Sequence, residues 1–137
     1  MRILFFGNQG NIGYRICKWF RTKGIDATLF VPKSGRHSRS LPEWEDPSLK
    51  GNYPHWIKTF KESKSITYYP DNEVVTKSKD CDIVLTTGEV VISALCLSKP
   101  VVYIPVGYDI TELPFMASSL KTKWRSYLYK KRITRVC

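Results

Sequence analysis

The sequence has 137 residues, of which 42% are hydrophobic and 25% charged, proportions that allow one soluble core and exclude both global disorder and two full-sized domains. Lysine and arginine number 22 against 12 aspartates and glutamates, a net charge of +10 that favours an anionic partner: nucleic acid, an acidic membrane surface or a phosphorylated ligand. Apolar stretches such as 3–6 and 101–106 are strand-length, well short of the ~20 residues that span a bilayer. Arg2 and the first strand follow Met1 directly, leaving no room for a secretory leader, so a cytosolic location is expected. Cys17, Cys81, Cys96 and Cys137 are scattered without a close pair and read as reduced, structural thiols.

Residues 2–6 carry adjacent apolar side chains instead of an alternation, the pattern of a strand buried on both faces of a parallel sheet. Ile12, Ile16, Trp19 and Phe20 then recur at helical spacing between Arg15, Lys18, Arg21 and Lys23, which predicts a helix over 11–23 stopped by Gly24. A second apolar strand over 26–31 ends at Pro32, which has no amide to give to a ladder. Residues 33–52 are rich in Ser, Gly, Pro and charge and read as a long surface loop. With Trp56, Ile57 and Phe60 on one side, 53–63 predicts a short helix, and 66–69 is the expected third strand. A helix over 71–79, a strand over 82–86, a helix over 88–97 and a buried strand over 100–104 follow. The last segment, 113–136, has helical composition and no acidic residue after Glu112; it carries Lys121, Lys123, Arg125, Lys130, Lys131, Arg132 and Arg135. Strands alternating with helices predict a single α/β domain: a Rossmann-like parallel sheet of about five or more strands with helices on both faces.

Ligands of such sheets bind beyond the carboxyl ends of the strands, near the switch in strand order. Three segments fall on that edge: 7–13, 86–89 and 105–111. The first, Gly7-Asn8-Gln9-Gly10-Asn11-Ile12-Gly13, puts three glycines where a strand hands over to a helix, so that backbone amides can approach a phosphate or a sugar closely. The same glycines also suit a tight turn and close helix packing with no ligand at all. Gly10, Asn11 and Gly13 are the candidate binding residues of this turn, and Gly88 and Glu89 those of the second segment. In the third, Gly107, Tyr108 and Asp109 are the candidates; a carboxylate at 109 either accepts hydrogen bonds from sugar hydroxyls or caps the following helix. His37 and His55 lie in polar surroundings and read as solvent-exposed. Trp44, Tyr53 and Trp56 form either an aromatic platform for an acceptor or part of the core. Glu43, Glu45 and Asp46 lack a spacing that specifies paired acid and base, no metal site is legible, and no catalytic residue is assigned.

The G-x-x-G-x-x-G spacing of 7–13 resembles that of the extended short-chain dehydrogenases. With Lys33 and Arg36 after the second strand in place of an acidic residue, this resemblance implies an NADP-binding module. Tyr127 and Lys131 have that family's Tyr-x-x-x-Lys spacing, but too little sequence precedes them and the match reads as chance. A second resemblance covers nearly the whole chain. The opening strand and glycine turn with Asn11, the Gly107-Tyr108-Asp109 triplet in the place of Gly-Ser-Asp, and the following Glu112-Leu113-Pro114-Phe115 are similar to the amino-terminal, acceptor-side domain of GT-B glycosyltransferases of family 4. That resemblance implies a nucleotide-sugar donor as substrate with no further cofactor, and a sugar or lipid-linked acceptor. Residues 10–13 would then approach the donor phosphate or the acceptor, and Asp109 the sugar hydroxyls. Pro105 and Val106 stand where the family often has a histidine, so no catalytic role passes to this chain. The family's second Rossmann-like domain, which carries an E-x7-E motif and most donor contacts, has no counterpart in these residues. The expectation is therefore half an enzyme, inactive without a donor-binding domain or a donor-binding protein partner.

The basic segment 121–135, with Leu120, Trp124, Tyr127 and Leu128 among its charges, reads as a peripheral contact with an anionic membrane surface, as many lipid-directed members of that family make. The same face suits a noncatalytic anion-binding domain, or a solvated helix covering the core. No recognised nucleic-acid-binding fold is spelled out.

Overall fold

The computed structural model describes residues 1–33, 41–60, 70, 72–107, 123, 126, 127 and 131. Among them, β1 (Arg2–Phe6), β2 (Asp26–Pro32), β3 (Ile57–Phe60), β4 (Ile83–Thr87) and β5 (Val101–Ile104) form one parallel sheet in the order β3-β2-β1-β4-β5. The fold is Rossmann-like α/β, as the sequence predicts. β1 is apolar at successive positions because it is central and covered on both sides. Ile3 and Phe5 join Ala27, Leu29, Val31 and Leu85 in one core. Leu4 and Phe6 join Phe30, Phe60, Val74 and Val84 in the other. Helix α1 (Ile12–Thr22) closes the first face with Tyr14 and Cys17. The second face is closed by α2 (Asn72–Lys79), through Val74, and by α3 (Val91–Ala94), through Ala94, with Leu97 just beyond it.

Two expected elements differ. Residues 57–60, for which the spacing predicts part of a helix over 53–63, are the edge strand β3, paired with β2 from Leu29↔Ile57 to Pro32↔Phe60. The i, i+3 spacing of Ile57 and Phe60 suggests one side of a helix. In a strand an odd separation reaches opposite faces, and the two side chains do enter opposite cores. The helix expected over 88–97 is a single tight turn, Gly88–Val90, followed by the short α3. Beyond α3, the amides of Cys96 and Leu97 bond three residues back, to Ser93 and Ala94. The strand expected at 66–69 lies outside the described residues. No helix among the described residues is long and apolar enough to cross a membrane.

Residues 41–56 form a strap over the outside of α1, built on the turns Pro42–Trp44 and Pro47–Leu49. Leu49, Tyr53 and Trp56 pack on the first core, and the Trp56 ring stacks on Tyr14 with centroids 5.9 Å apart and planes 10° apart. Its acidic residues meet the basic face of the helix. Arg15 donates to both Glu45 oxygens, at 2.7 and 2.8 Å, and Lys18 Nζ stands 3.6 Å from Asp46 Oδ2. Tyr53 donates its hydroxyl to Glu43. The exposed His55 shares a 3.3 Å hydrogen bond with Arg21 Nη2. Of the three aromatic residues that suggested a platform, Tyr53 and Trp56 are packed, and Trp44 is 66% exposed.

Candidate functional site at the carboxyl ends of β1 and β4

β1 and β4 run side by side, with Phe6 opposite Thr86, yet the chain leaves them toward opposite faces. β1 leads into α1 on the first core and β4 leads into α3 on the second. Such a divergence marks the switch point at the strand ends, where ligands of open α/β sheets bind. Its two corners are the turn 7–13 and residues 87–90. The strand ends are fastened by Thr86 Oγ1, which donates to the Phe6 carbonyl at 2.9 Å. The corners are fastened by the Gln9 amide, which donates to Thr87 Oγ1 at 3.3 Å. Gly7, at φ +94°, lets them touch: a Cβ there would stand 2.5 Å from Val90 Cγ2. The Gln9 carboxamide lies directly on Gly88, in the space a Cβ of that residue would fill.

The turn's amides are largely satisfied from within. Besides Gln9, the Asn11 amide donates to the Asn8 carbonyl at 3.1 Å, the Ile12 amide to the Gln9 carbonyl, and the Tyr14 amide to Asn8 Oδ1 at 2.8 Å. Asn8 Nδ2 in turn donates to Asn11 Oδ1 at 2.8 Å. Asn8 and Asn11 are 2% and 7% exposed, so this is a closed, buried polar lattice of the kind that fixes a single conformation. Tyr14 links it to the strap: its hydroxyl donates to Asp46 Oδ2 at 3.1 Å and accepts from Lys18 Nζ at 3.3 Å. Burial holds the Tyr14 hydroxyl above its usual pKa, against the lowering pull of the Lys18 bond.

The residues expected from sequence occupy different situations along this edge. Gly10 is exposed with open space around it. Asn11 is turned into the lattice. Gly13 is a packing residue: a Cβ there would lie 2.6 Å from the Gly7 carbonyl, 2.9 Å from Leu29 and 3.0 Å from Phe5. Gly88 is covered by Gln9, and Glu89 follows it in the same turn. Gly107 is exposed beyond the end of β5, on the same edge. Tyr108 and Asp109 lie outside the described residues, as do Arg36 and His37. Of the basic segment, Lys123 and Lys131 are exposed, and Lys131 Nζ stands 5.7 Å from the ring centre of Tyr127.

Asn8, Gln9 and Thr87 were not singled out from sequence. Asn8 had a signal, being a capping-type residue just ahead of a helix. Gln9 and Thr87 had none, because their bond spans 78 residues. No group of His, Cys, Asp and Glu among the described residues is placed to hold a metal. No family model, curated protein or solved structure matches the chain.

Proposed function

We propose that this chain supplies the acceptor-facing wall of a nucleotide-sugar-dependent glycosyltransferase cleft, the donor nucleotide being held by a second domain or a partner protein. The observation that carries the reading is the meeting of the glycine turn 7–13 with the Thr87-Gly88 corner at the β1/β4 switch point. The resemblance of 7–13 and 107–115 to family 4 supports it. In this reading the wall orients an acceptor hydroxyl for attack on the anomeric carbon, and the donor's diphosphate leaves toward the other half. Asp109 contacts sugar hydroxyls, and the basic segment 121–135 brings the protein to an anionic membrane surface in the cytosol.

A second reading is an NADP-binding module. It draws on the exposed Lys33 at the end of β2, on the same edge as the glycine turn, where a 2′-phosphate sits in dinucleotide-binding folds.

Titrating the purified chain with methyl glycosides and with NADPH separates the two. The glycosyltransferase reading expects saturable glycoside shifts at the amides of Gln9, Gly10, Gly88 and Gly107. It also expects no sugar transfer by the chain alone. NADPH binding that is abolished by Lys33→Ala, with no glycoside binding, would replace this reading with the second. Turnover by the isolated chain would end the half-enzyme account.

A further inference from the structure

The outward side of α1 carries cations and a tryptophan. Arg15, Lys18, Trp19 and Thr22, with Lys23 at the cap, recur at helical spacing and all five are exposed. Trp19 is 57% exposed and joins neither core; its ring leans on Phe20, with centroids 5.4 Å apart. The strap brings a second tryptophan to this side. Glu45 grips Arg15 with both carboxylate oxygens and Asp46 reaches Lys18, so residues 44–46 lie against the part of α1 that holds Arg15 and Lys18. Trp44, next to Glu45, is exposed, and Trp19 stands one helical turn beyond Arg15. Single apolar side chains in water are ordinary, whereas grouped ones mark a surface that meets a partner.

Charge decides the kind of partner. Residues 12–23 include Arg15, Lys18, Arg21 and Lys23 and no acidic residue. On the exposed side Arg15, Lys18 and Lys23 face Glu45 and Asp46, which leaves the surface net positive. The pairing does not hide the cations: the Arg15 and Lys18 side chains stay 66% and 56% exposed, and Lys23 has no acidic partner among the described residues. Cations interleaved with indoles match the boundary of an anionic bilayer. There the apolar body of the ring enters the headgroup layer, its N–H stays hydrated, and the cations meet lipid phosphates. We propose that the face formed by α1 and the strap docks this chain, through Trp19 and Trp44, on an anionic membrane surface. The docking does not depend on the sugar-transfer reading, and it is a contact separate from the one read for 121–135.

The test is binding of the full chain to vesicles of phosphatidylcholine, alone and with about a third phosphatidylglycerol, at about 0.1 M salt to suppress diffuse attraction. Brominated acyl chains in the vesicles quench any indole that enters. The wild type is expected to bind the anionic vesicles and to be quenched. The double variant Trp19→Ser, Trp44→Ser is expected to lose at least about tenfold in affinity and most of the quenching, although Trp56 and Trp124 remain. The double variant Lys18→Gln, Lys23→Gln keeps both rings and is expected to lose about fivefold per lysine, on anionic vesicles alone. Should the tryptophan variant not fold, the lysine variant carries the comparison. Undiminished affinity and quenching in the tryptophan variant overturn the proposal, because the contact then belongs to the segment of Trp124. Equal binding to phosphatidylcholine alone overturns it as well. So does capture of an RNA oligomer that both variants lose, with no vesicle binding, which makes the partner a nucleic acid. Glycoside shifts at the strand ends in a chain that ignores vesicles sink the docking and leave the glycosyltransferase reading standing.

Discussion

Two glycines six and three residues beyond Gly7 show how differently one residue type serves one turn. At Gly13 an added methyl meets backbone and two core side chains within 3.0 Å, whereas at Gly10 it meets nothing and has only φ +57° to contend with. Gly13→Ala is therefore expected to cost about 2–3 kcal/mol through overpacking, and Gly10→Ala about 1 kcal/mol through the left-handed backbone. Urea denaturation of both variants checks the order, and equal losses would show that α1 can shift to make room. Asn8→Ala should cost about 2 kcal/mol, since it strands the Tyr14 amide and Asn11 Oδ1 in a buried site. Among the thiols, burial pushes Cys17 up to about 12, against the lowering influence of Arg21. A thiol-specific reagent near neutral pH is thus expected to label the exposed Cys96 and spare Cys17 until the chain unfolds. Prompt labelling of Cys17 would mean that α1 lifts from the sheet in the native state.

The strap carries two carboxylates whose contribution to stability follows pH. Glu45 is held below the usual carboxylate range by the Arg15 guanidinium, and Asp46 by the Ser48 hydroxyl, then by the Tyr14 hydroxyl. Both carboxylates are more favourable charged in the folded chain. Their contribution is complete above their unfolded pKa values of about 4.3 and 3.9, and it is lost as pH falls through the lower folded ones. Between about pH 5 and pH 3, the Leu49 amide is expected to lose exchange protection before that of Leu4 in β1, and Glu45→Gln should narrow the gap. Simultaneous loss at both positions would refute an independently loosening strap.

What the sequence makes legible follows from which signals are local. β1 and α1 were readable because continuous apolarity and a 3.6-residue period are properties of neighbouring residues. β3 was not, because what makes 57–60 a strand is pairing with β2, and its i, i+3 apolar spacing fits a helix equally well. At the strand-end edge, Gly10 and Gly107 are exposed. The group closing the turn, Asn8, and the Gln9–Thr87 contact between the two corners needed the sheet order, which no local pattern encodes.

Across the whole molecule the charge is lopsided. Glu45, Asp46, Asp26 and Asp82 are paired with nearby cations, yet the net charge is still +10. Self-repulsion of that size weakens the compact state. Raising ionic strength from about 0.01 to about 0.15 M, which shortens the screening length from ~30 to ~8 Å, should raise Tm by a few degrees. A fall in Tm would mean that the pairs under the strap outweigh the general repulsion.

The long reach from β1 to β4 also sets the order in which a growing chain can become this protein. The Phe6 carbonyl waits for a threonine 80 residues later. At roughly 5–20 residues per second on the ribosome, the innermost strand spends seconds with one edge bare and Leu4 and Phe6 uncovered. During that interval β1 is a natural client for a hydrophobe-binding chaperone. The meeting of the two corners comes into being only when synthesis has passed β4, so the nascent chain acquires this strand-end geometry well after its glycine turn is made.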